Sequence, residues 1–436
     1  MKKNLSKPAI LIGTSFLIFV LPLIGSIVRW GELPPGYGSF PAQKTVEPPG
    51  FSLGFFIFAC AVALLITLFL LVPRWFGFRN GAERAVDEGG SDVTASGSGS
   101  TVTVGDMHQS ATDVSNLSAA SAEHGVANRT AAAPSGYPVW FWWSLPVLVI
   151  SWLLMWVRIP ALPLLNAFSF VPLWWSFILL LDGVVYKRSG GNSILAKKPH
   201  LMQILAIVSC FSWFVFEYLN FFVLANWYYP NNTILSDFGN VFWFSLSYTT
   251  VLPAIFEWYT LLLTFPALRK RYSNGPKLKV SRQMLLLFYG AGVILAFGMG
   301  YFPSQLFWVL WVALVPLLSA AMGIAGLWTP FTPLRNGNWS PILLIAIATL
   351  LNGLFWELWN FGSGYFNSET ITNPNFWKYS VPYLDKIHLF SEMPILGYFG
   401  YLFFGVNCWI MWLAAAYICK FDPEIVPGAS GSWGKR

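Results

Sequence analysis

Residues 342–361 read ILLIAIATLLNGLFWELWNF. A run of this length and apolarity matches what an α-helix needs to cross about 30 Å of hydrocarbon, roughly 20 residues. Its single carboxylic acid, Glu357, therefore falls within a membrane span, where a charged side chain costs several kcal/mol by insertion scales. Read this way, the stretch places the chain among integral membrane proteins and marks Glu357 as a residue that has to be explained.

Nine further apolar runs flank it, at 9–28, 51–72, 139–157, 162–185, 201–225, 241–268, 283–301, 306–328 and 395–418. The expected fold class is an all-α integral membrane protein of about ten transmembrane helices, with both termini on one side. Composition agrees: 56% of the 436 residues are hydrophobic and only 10% are charged, where a soluble protein carries about 25%. The 23 Trp suit interfacial belts, to which Trp140, Trp142, Trp143, Trp227 and Trp377 are assigned. The net charge of +7 does not imply nucleic acid, because the basic residues lie between apolar segments rather than on a polar module. With the N-terminus inside, the outer segments hold only Arg29, Lys44, Arg158, Lys378 and Lys386 of the 26 Lys and Arg residues. That asymmetry supports ten spans with both termini cytoplasmic, in a bacterial inner membrane. Lys2, Lys3 and Lys7 before the first run resemble a signal peptide. The run's length and the lack of a clean cleavage site favour a retained span.

The chain divides into an N-terminal helix pair (1–80), a polar linker (81–135), two four-helix units (136–280 and 281–420) and a tail (421–436). The linker, rich in Ser, Ala, Gly and Thr, cannot bury enough apolar surface to order itself and is expected to be disordered and cytoplasmic. The two units read as a tandem duplication. Phe216-Glu217-Tyr218-Leu219-Asn220-Phe221 is echoed 140 residues later by Trp356-Glu357-Leu358-Trp359-Asn360-Phe361. Asn226-Trp227-Tyr228-Tyr229-Pro230 is echoed, 150 residues on, by Phe376-Trp377-Lys378-Tyr379 and Pro382. The same offset aligns Tyr248 with Tyr398 and Glu257 with Asn407, and Trp174 answers Trp311 more weakly. Both copies of an even-numbered unit enter from the same side, so the pseudo-twofold axis should run along the membrane normal.

Glu217 and Glu357 are the leading candidates for ligand or proton binding. Asn220 and Asn360 lie one turn on, on the same helix faces, placed to bond the acids or a shared ligand. The competing reading is polar glue between helices. Glu257 follows Pro253, which is expected to kink its helix, and is a candidate proton or cation site. Asp182 reads as an interfacial acid paired with Lys187 and Arg188. Trp356 and Trp359 flank Glu357 as candidate pocket aromatics for an apolar or cationic ligand, against the plainer reading of packing.

No metal or cofactor is expected. Cys60, Cys210, Cys408 and Cys419 form no CxxC or Cys/His cluster, and none of the four His lies inside a span, which excludes a bis-histidine haem. His388 and Glu392, at i and i+4, read as part of an amphipathic outer segment rather than a metal pair. Walker, dinucleotide, zinc-protease and serine-hydrolase motifs are absent.

The segments 172–174 through 182–183 and 186–188, with Glu217–Asn220 and residues 392–398, resemble a bacterial family of uncharacterised multi-pass membrane proteins. The resemblance spans the fourth to tenth runs and implies architecture alone. The family pattern has an acid where this chain has Asn407, a departure that bears on any symmetric role for Glu257 and Asn407. Three functions stay open: a transporter-like protein with intramembrane acidic sites, a membrane enzyme acting on a lipid or isoprenoid, or an assembly subunit. The partners expected are the bilayer and a small-molecule or lipid ligand, with protein partners undetermined.

Overall fold

A computed structural model describes residues 7–79, 136–366 and 371–425; the 81–135 linker and most of the 421–436 tail lie outside them. The main helices are α1 (Lys7–Trp30), α2 (Leu53–Leu71), α3 (Val139–Trp156), α4 (Phe170–Arg188), α5 (Pro199–Asn220), α6 (Asp237–Tyr248), α7 (Val251–Leu263), α8 (Arg282–Tyr301), α9 (Leu314–Ile324), α10 (Ser340–Tyr365) and α11 (Gly400–Cys419). The only strands among the described residues are β1 (Trp227–Tyr228) and β2 (Lys378–Tyr379), paired antiparallel with Trp227 opposite Tyr379. Among the described residues eight helices are long and apolar enough to cross a membrane: α1 to α5, α8, α10 and α11. A ninth is added if α6 and α7 are counted with the helix Pro266–Tyr272, which they meet at 92°.

Three runs depart from continuous helices, each for a local reason. In the fourth, the Asn166 amide donates to the carbonyl of Ile159 at 2.8 Å and accepts from its N–H. This closes off a short helix, Pro163–Ala167, before α4 begins. In the sixth, the break falls at Thr249–Thr250, not at Pro253. Both threonine hydroxyls bond back to carbonyls of α6, while Ser209 of α5 donates to Tyr248 and accepts from the N–H of Leu252. Pro253 then sits in the first turn of α7, where its missing N–H would be unpaired anyway. In the eighth, a 3-10 turn, Phe307–Trp311, leads into α9, whose 11 residues end at left-handed Gly326. The segment 380–394 is irregular, and His388 bonds Asp385 at 2.7 Å. The helical face expected for His388 and Glu392 is not formed.

The two units share one pattern of neighbours. α3 packs on α4 as α8 packs on α9; α4 meets α7 as α9 meets α11; α5 meets α7 as α10 meets α11. Between the units, α7 lies on α10 and α5 on α11. Aromatic side chains cross reciprocally: Trp174 packs on Trp356 (5.6 Å between ring centres) and Trp311 stacks on Phe216 (5.8 Å). α10 and α11, about two-thirds buried, form the middle of the bundle. α1 is held against α8 by small residues: a Cβ on Gly25 would strike the carbonyl of Phe297, and one on Gly300 that of Pro22. α2 is different. Only 6% of its most apolar window is buried, and it touches the body chiefly at the 3-10 turn Ile395–Phe399.

Candidate functional site

Glu217 sits in the last turn of α5, 4% exposed. Four donors converge on its Oε1: the Trp213 indole at 2.9 Å, the Trp227 indole at 3.1 Å, the Tyr229 hydroxyl at 2.7 Å and the Tyr248 hydroxyl at 3.0 Å. Helical spacing brings Trp213, one turn earlier, to the acid. Trp227 and Tyr229 arrive because the chain reverses through Leu224 and Ala225, both in the left-handed region at φ 61° and 51°. Two successive non-glycine residues there are uncommon and are held only by surrounding contacts. Oε2 of Glu217 has no partner.

Glu357 on α10 repeats the arrangement with fewer donors. Its Oε1 accepts from the Tyr379 hydroxyl at 2.6 Å and the Tyr401 hydroxyl at 2.7 Å, and its Oε2 is again unpartnered. The Trp377 indole donates to the Tyr379 oxygen at 2.8 Å rather than to the acid, forming a relay. Gly353 occupies the position of Trp213, and the ring of Tyr401 lies where a Cβ would be. Tyr401, not Tyr398, is thus the counterpart of Tyr248; Tyr398 donates to Ser391 instead. The Tyr229 and Tyr379 hydroxyls belong to the loops that follow α5 and α10. Burial, then the adjoining carboxylate, pushes both well above the ordinary phenol range, so they remain donors.

Asn220 and Asn360 do not reach the acids. The Asn220 amide donates to the carbonyl of Trp227 at 2.8 Å, and Asn360 does the same to Trp377 while accepting its N–H at 3.0 Å. Each fastens the loop that carries the tyrosine. Tyr379→Phe would remove one of Glu357's two donors and orphan the Trp377 N–H. We expect a loss of about 2 kcal/mol, read as a lower unfolding midpoint in detergent. An unchanged midpoint would mean that water replaces the phenol.

A cavity of about 510 Å³ separates the two carboxylate sites. Its walls include Trp213, Trp227, Tyr229 and Tyr248 from one site and Tyr379 and Tyr401 from the other, so six residues that donate to the acids face a single space. Glu217 and Glu357 lie behind this layer rather than on the surface of the cavity. Trp356 lines it; Trp359 does not, being packed beneath Trp174 at 4.8 Å. Another wall is α2, through Phe55, Phe58, Ala59, Val62, Ala63 and Ile66, one helical stripe. Phe58, Val62, Trp308 and Phe403 line the cavity yet remain more than a third exposed. The mouth is therefore framed by apolar side chains of α2, of the 3-10 turn before α9 and of α11. The loop between α1 and α2 covers the site loops, with the Ala42 carbonyl accepting from the Tyr229 N–H and Gln43 donating to the Tyr229 carbonyl.

Glu257 is elsewhere. Fully buried on α7, it accepts from Thr260 at 3.3 Å, leaves its Oε1 unpartnered and lies beside Asp182. Asp182 is not an interfacial acid paired with Lys187 and Arg188. It is fully buried and accepts from the Trp140 indole, the Ser193 hydroxyl and the Leu195 N–H. The short helix Ile194–Lys197, with its N-cap Ser193, supplies two of those donors and α3 the third, in place of the bases. Asn407 shares none of this; its amide donates to the carbonyl of Trp311. Among the described residues no group of three potential metal ligands occurs.

Of the sequence candidates, the structure joins Glu217, Glu357 and Trp356 around one cavity and sets Glu257 and Trp359 apart. Trp213, Tyr229, Tyr248, Tyr379 and Tyr401 were not among them. The echo of Trp227–Tyr229 in Trp377–Tyr379 carried the signal for two of these, since both tyrosines stand twelve and twenty-two residues after their acids in matching loops. No protein-family model, curated protein or solved structure matches the chain.

Proposed function

We propose that this is a transporter-like protein of ten spans, both termini cytoplasmic, in a bacterial inner membrane. Its two four-helix units arise by tandem duplication and bind an apolar-bodied ligand between them. The ten-span count takes α6–α7 and the 3-10 turn with α9 as crossings, as the charge asymmetry requires. Duplication is supported by the shared helix neighbours, by the matched Glu–Tyr–Tyr and Asn–loop bonds, and by the exchange of Trp174 and Trp311 between units. A reciprocal exchange of equivalent residues is the signature of a twofold relation. The observation that carries the functional reading is the cavity shared by the two acid sites. Sites near the interface of two repeats are common in secondary transporters, and a volume of this order suits a small-molecule ligand. Glu217 and Glu357 order the walls from behind as shared acceptors, with Asn220 and Asn360 holding the loops.

Ser247 lines the cavity and is 3% exposed. In a protein with its four native cysteines replaced, Ser247→Cys is expected to react with a membrane-impermeant thiol reagent added to either face of oriented vesicles. Labelling from both faces is what alternating access requires. Labelling from one face alone would overturn the transport reading and favour a membrane enzyme acting on a lipid. No labelling from either face would leave the acids as internal glue.

A further inference from the structure

We infer that the cavity selects an organic cation, an apolar body carrying an ammonium or equivalent positive centre, taken from the bilayer through the opening beside α2. The inference rests on the reading of the cavity as a ligand site and specifies the ligand's class.

Four features point the same way. First, no Lys, Arg or His lines the cavity, so nothing there would neutralise an anion, and no resident cation competes for the site. Second, the walls present the rings of Trp213, Trp227, Trp311, Trp356 and Trp377. Aromatic faces carry negative potential and attract cations within about 6 Å, most strongly for Trp and in desolvated sites. Third, two carboxyl groups stand one side chain behind that layer. The indole protons of Trp213 and Trp227 and the phenol protons of Tyr229, Tyr248, Tyr379 and Tyr401 are turned toward Glu217 and Glu357, and the Trp377 indole proton toward the Tyr379 oxygen, which leaves the faces of these rings for the ligand. Fourth, Asn226 lines the cavity at 3% exposure with its amide nitrogen spent on the Phe307 carbonyl and its Oδ1 unpartnered. A buried acceptor without a donor is costly, and an N–H group of a ligand would satisfy it.

The mouth specifies the body. Its frame of Phe58, Val62, Trp308 and Phe403 is apolar and exposed on spanning segments, while the outer loops close the aqueous side above Tyr229. A ligand that partitions into the membrane reaches this opening without crossing water. α2, fixed at few points, is the wall that can yield.

The test uses two hydrophobic ions of nearly the same shape and opposite charge, tetraphenylphosphonium and tetraphenylborate. Each is titrated by equilibrium dialysis into the full-length protein in a neutral detergent. Ala63→Trp, which fills the cavity from α2, gives the background due to micelles. The saturable component absent from Ala63→Trp should bind the cation at least about tenfold tighter than the anion, the ratio that ~1.4 kcal/mol of charge and ring attraction supplies. Glu217→Gln with Glu357→Gln should shrink that preference several-fold. Equal binding of the two ions, or a preference for the anion, overturns the cation assignment while leaving an apolar ligand site in place. Binding of neither ion also overturns it. The cavity's part in transport is then judged separately by labelling of Ser247→Cys, which needs no ligand.

Discussion

Glu217→Leu is expected to lose on the order of 4 kcal/mol of stability or more. Leucine removes the one acceptor shared by Trp213, Trp227, Tyr229 and Tyr248, all but Trp213 nearly or wholly buried. Each buried donor left unsatisfied costs about 1–3 kcal/mol, and four are orphaned at once. The loop after α5 is held onto that helix through this oxygen and through Asn220, so its release would also free the Leu224–Ala225 reversal from the conformation it is held in. Glu217→Gln is the informative contrast. All four donors meet Oε1, while Oε2 is unpartnered, so a glutamine can keep the same acceptor and turn its amide nitrogen to the vacant side. It gives up the strength that charge adds to hydrogen bonds, and a loss of about 1–3 kcal/mol follows. Denaturant titration followed by Trp fluorescence reads both. A Glu217→Leu protein as stable as wild type would show that these donors find other acceptors. The pair also separates scaffold from charge: the glutamine variant should fold, carry the cavity and show a smaller preference for the cation.

Gly300→Leu should detach α1 from the bundle. The Cβ of any larger residue at 300 meets the backbone carbonyl of Pro22, and the neighbouring backbone N–H of Ser26 is also close. A side-chain end could rotate away; a helix backbone can only shift as a body. Overpacking a well-fitted contact costs about 1–3 kcal/mol and more where nothing can give. In a membrane, close approach through small residues is what drives helix association. Thr14 and Tyr289 touch across the same interface at 3.3 Å, so cysteines placed there should cross-link readily in the parent and several-fold less in Gly300→Leu. Gly290 lies on the same helix with open space around it, and Gly290→Leu should leave cross-linking unchanged. Equal cross-linking in both variants would mean that α1 is held by other contacts, such as the bond from Tyr218 to the Phe19 carbonyl at 2.6 Å.

Much of this architecture can be read without coordinates because the bilayer imposes it. Backbone groups in hydrocarbon must be paired within the segment, so uniform apolar runs near 20 residues become helices wherever their polar side chains do not intervene. Where they do intervene, the reading fails at an identifiable residue. Asn166 ends a helix by taking over the backbone bonds of Ile159. Ser209, on another helix altogether, caps both sides of the break at Thr249–Thr250 and moves it away from Pro253. Asp182 finds its partners on α3 and on the short helix that follows α4, rather than among the bases beside it in sequence.

The candidate site divides in the same way. Glu217 and Glu357 stand out in sequence because a carboxylate in an apolar run carries a desolvation cost that has to be offset, and the matched spacing of their motifs marks the loops that follow. The sequence by itself thus determined the membrane class, the positions of the acids and the pairing of the two motifs, all of them consequences of transfer energy and short-range spacing. Only the tertiary structure decided which groups meet. It showed that Asn220 and Asn360 serve the loops, that Tyr401 rather than Tyr398 answers Tyr248, that Glu257 joins Asp182 away from the cavity, and that α2 forms a wall of the cavity. The physical reason is that these contacts join residues far apart in the chain or on different helices, and α2 in particular is apolar on every side. Uniform hydrophobicity specifies burial in lipid or protein, but it carries no information about which face meets which neighbour.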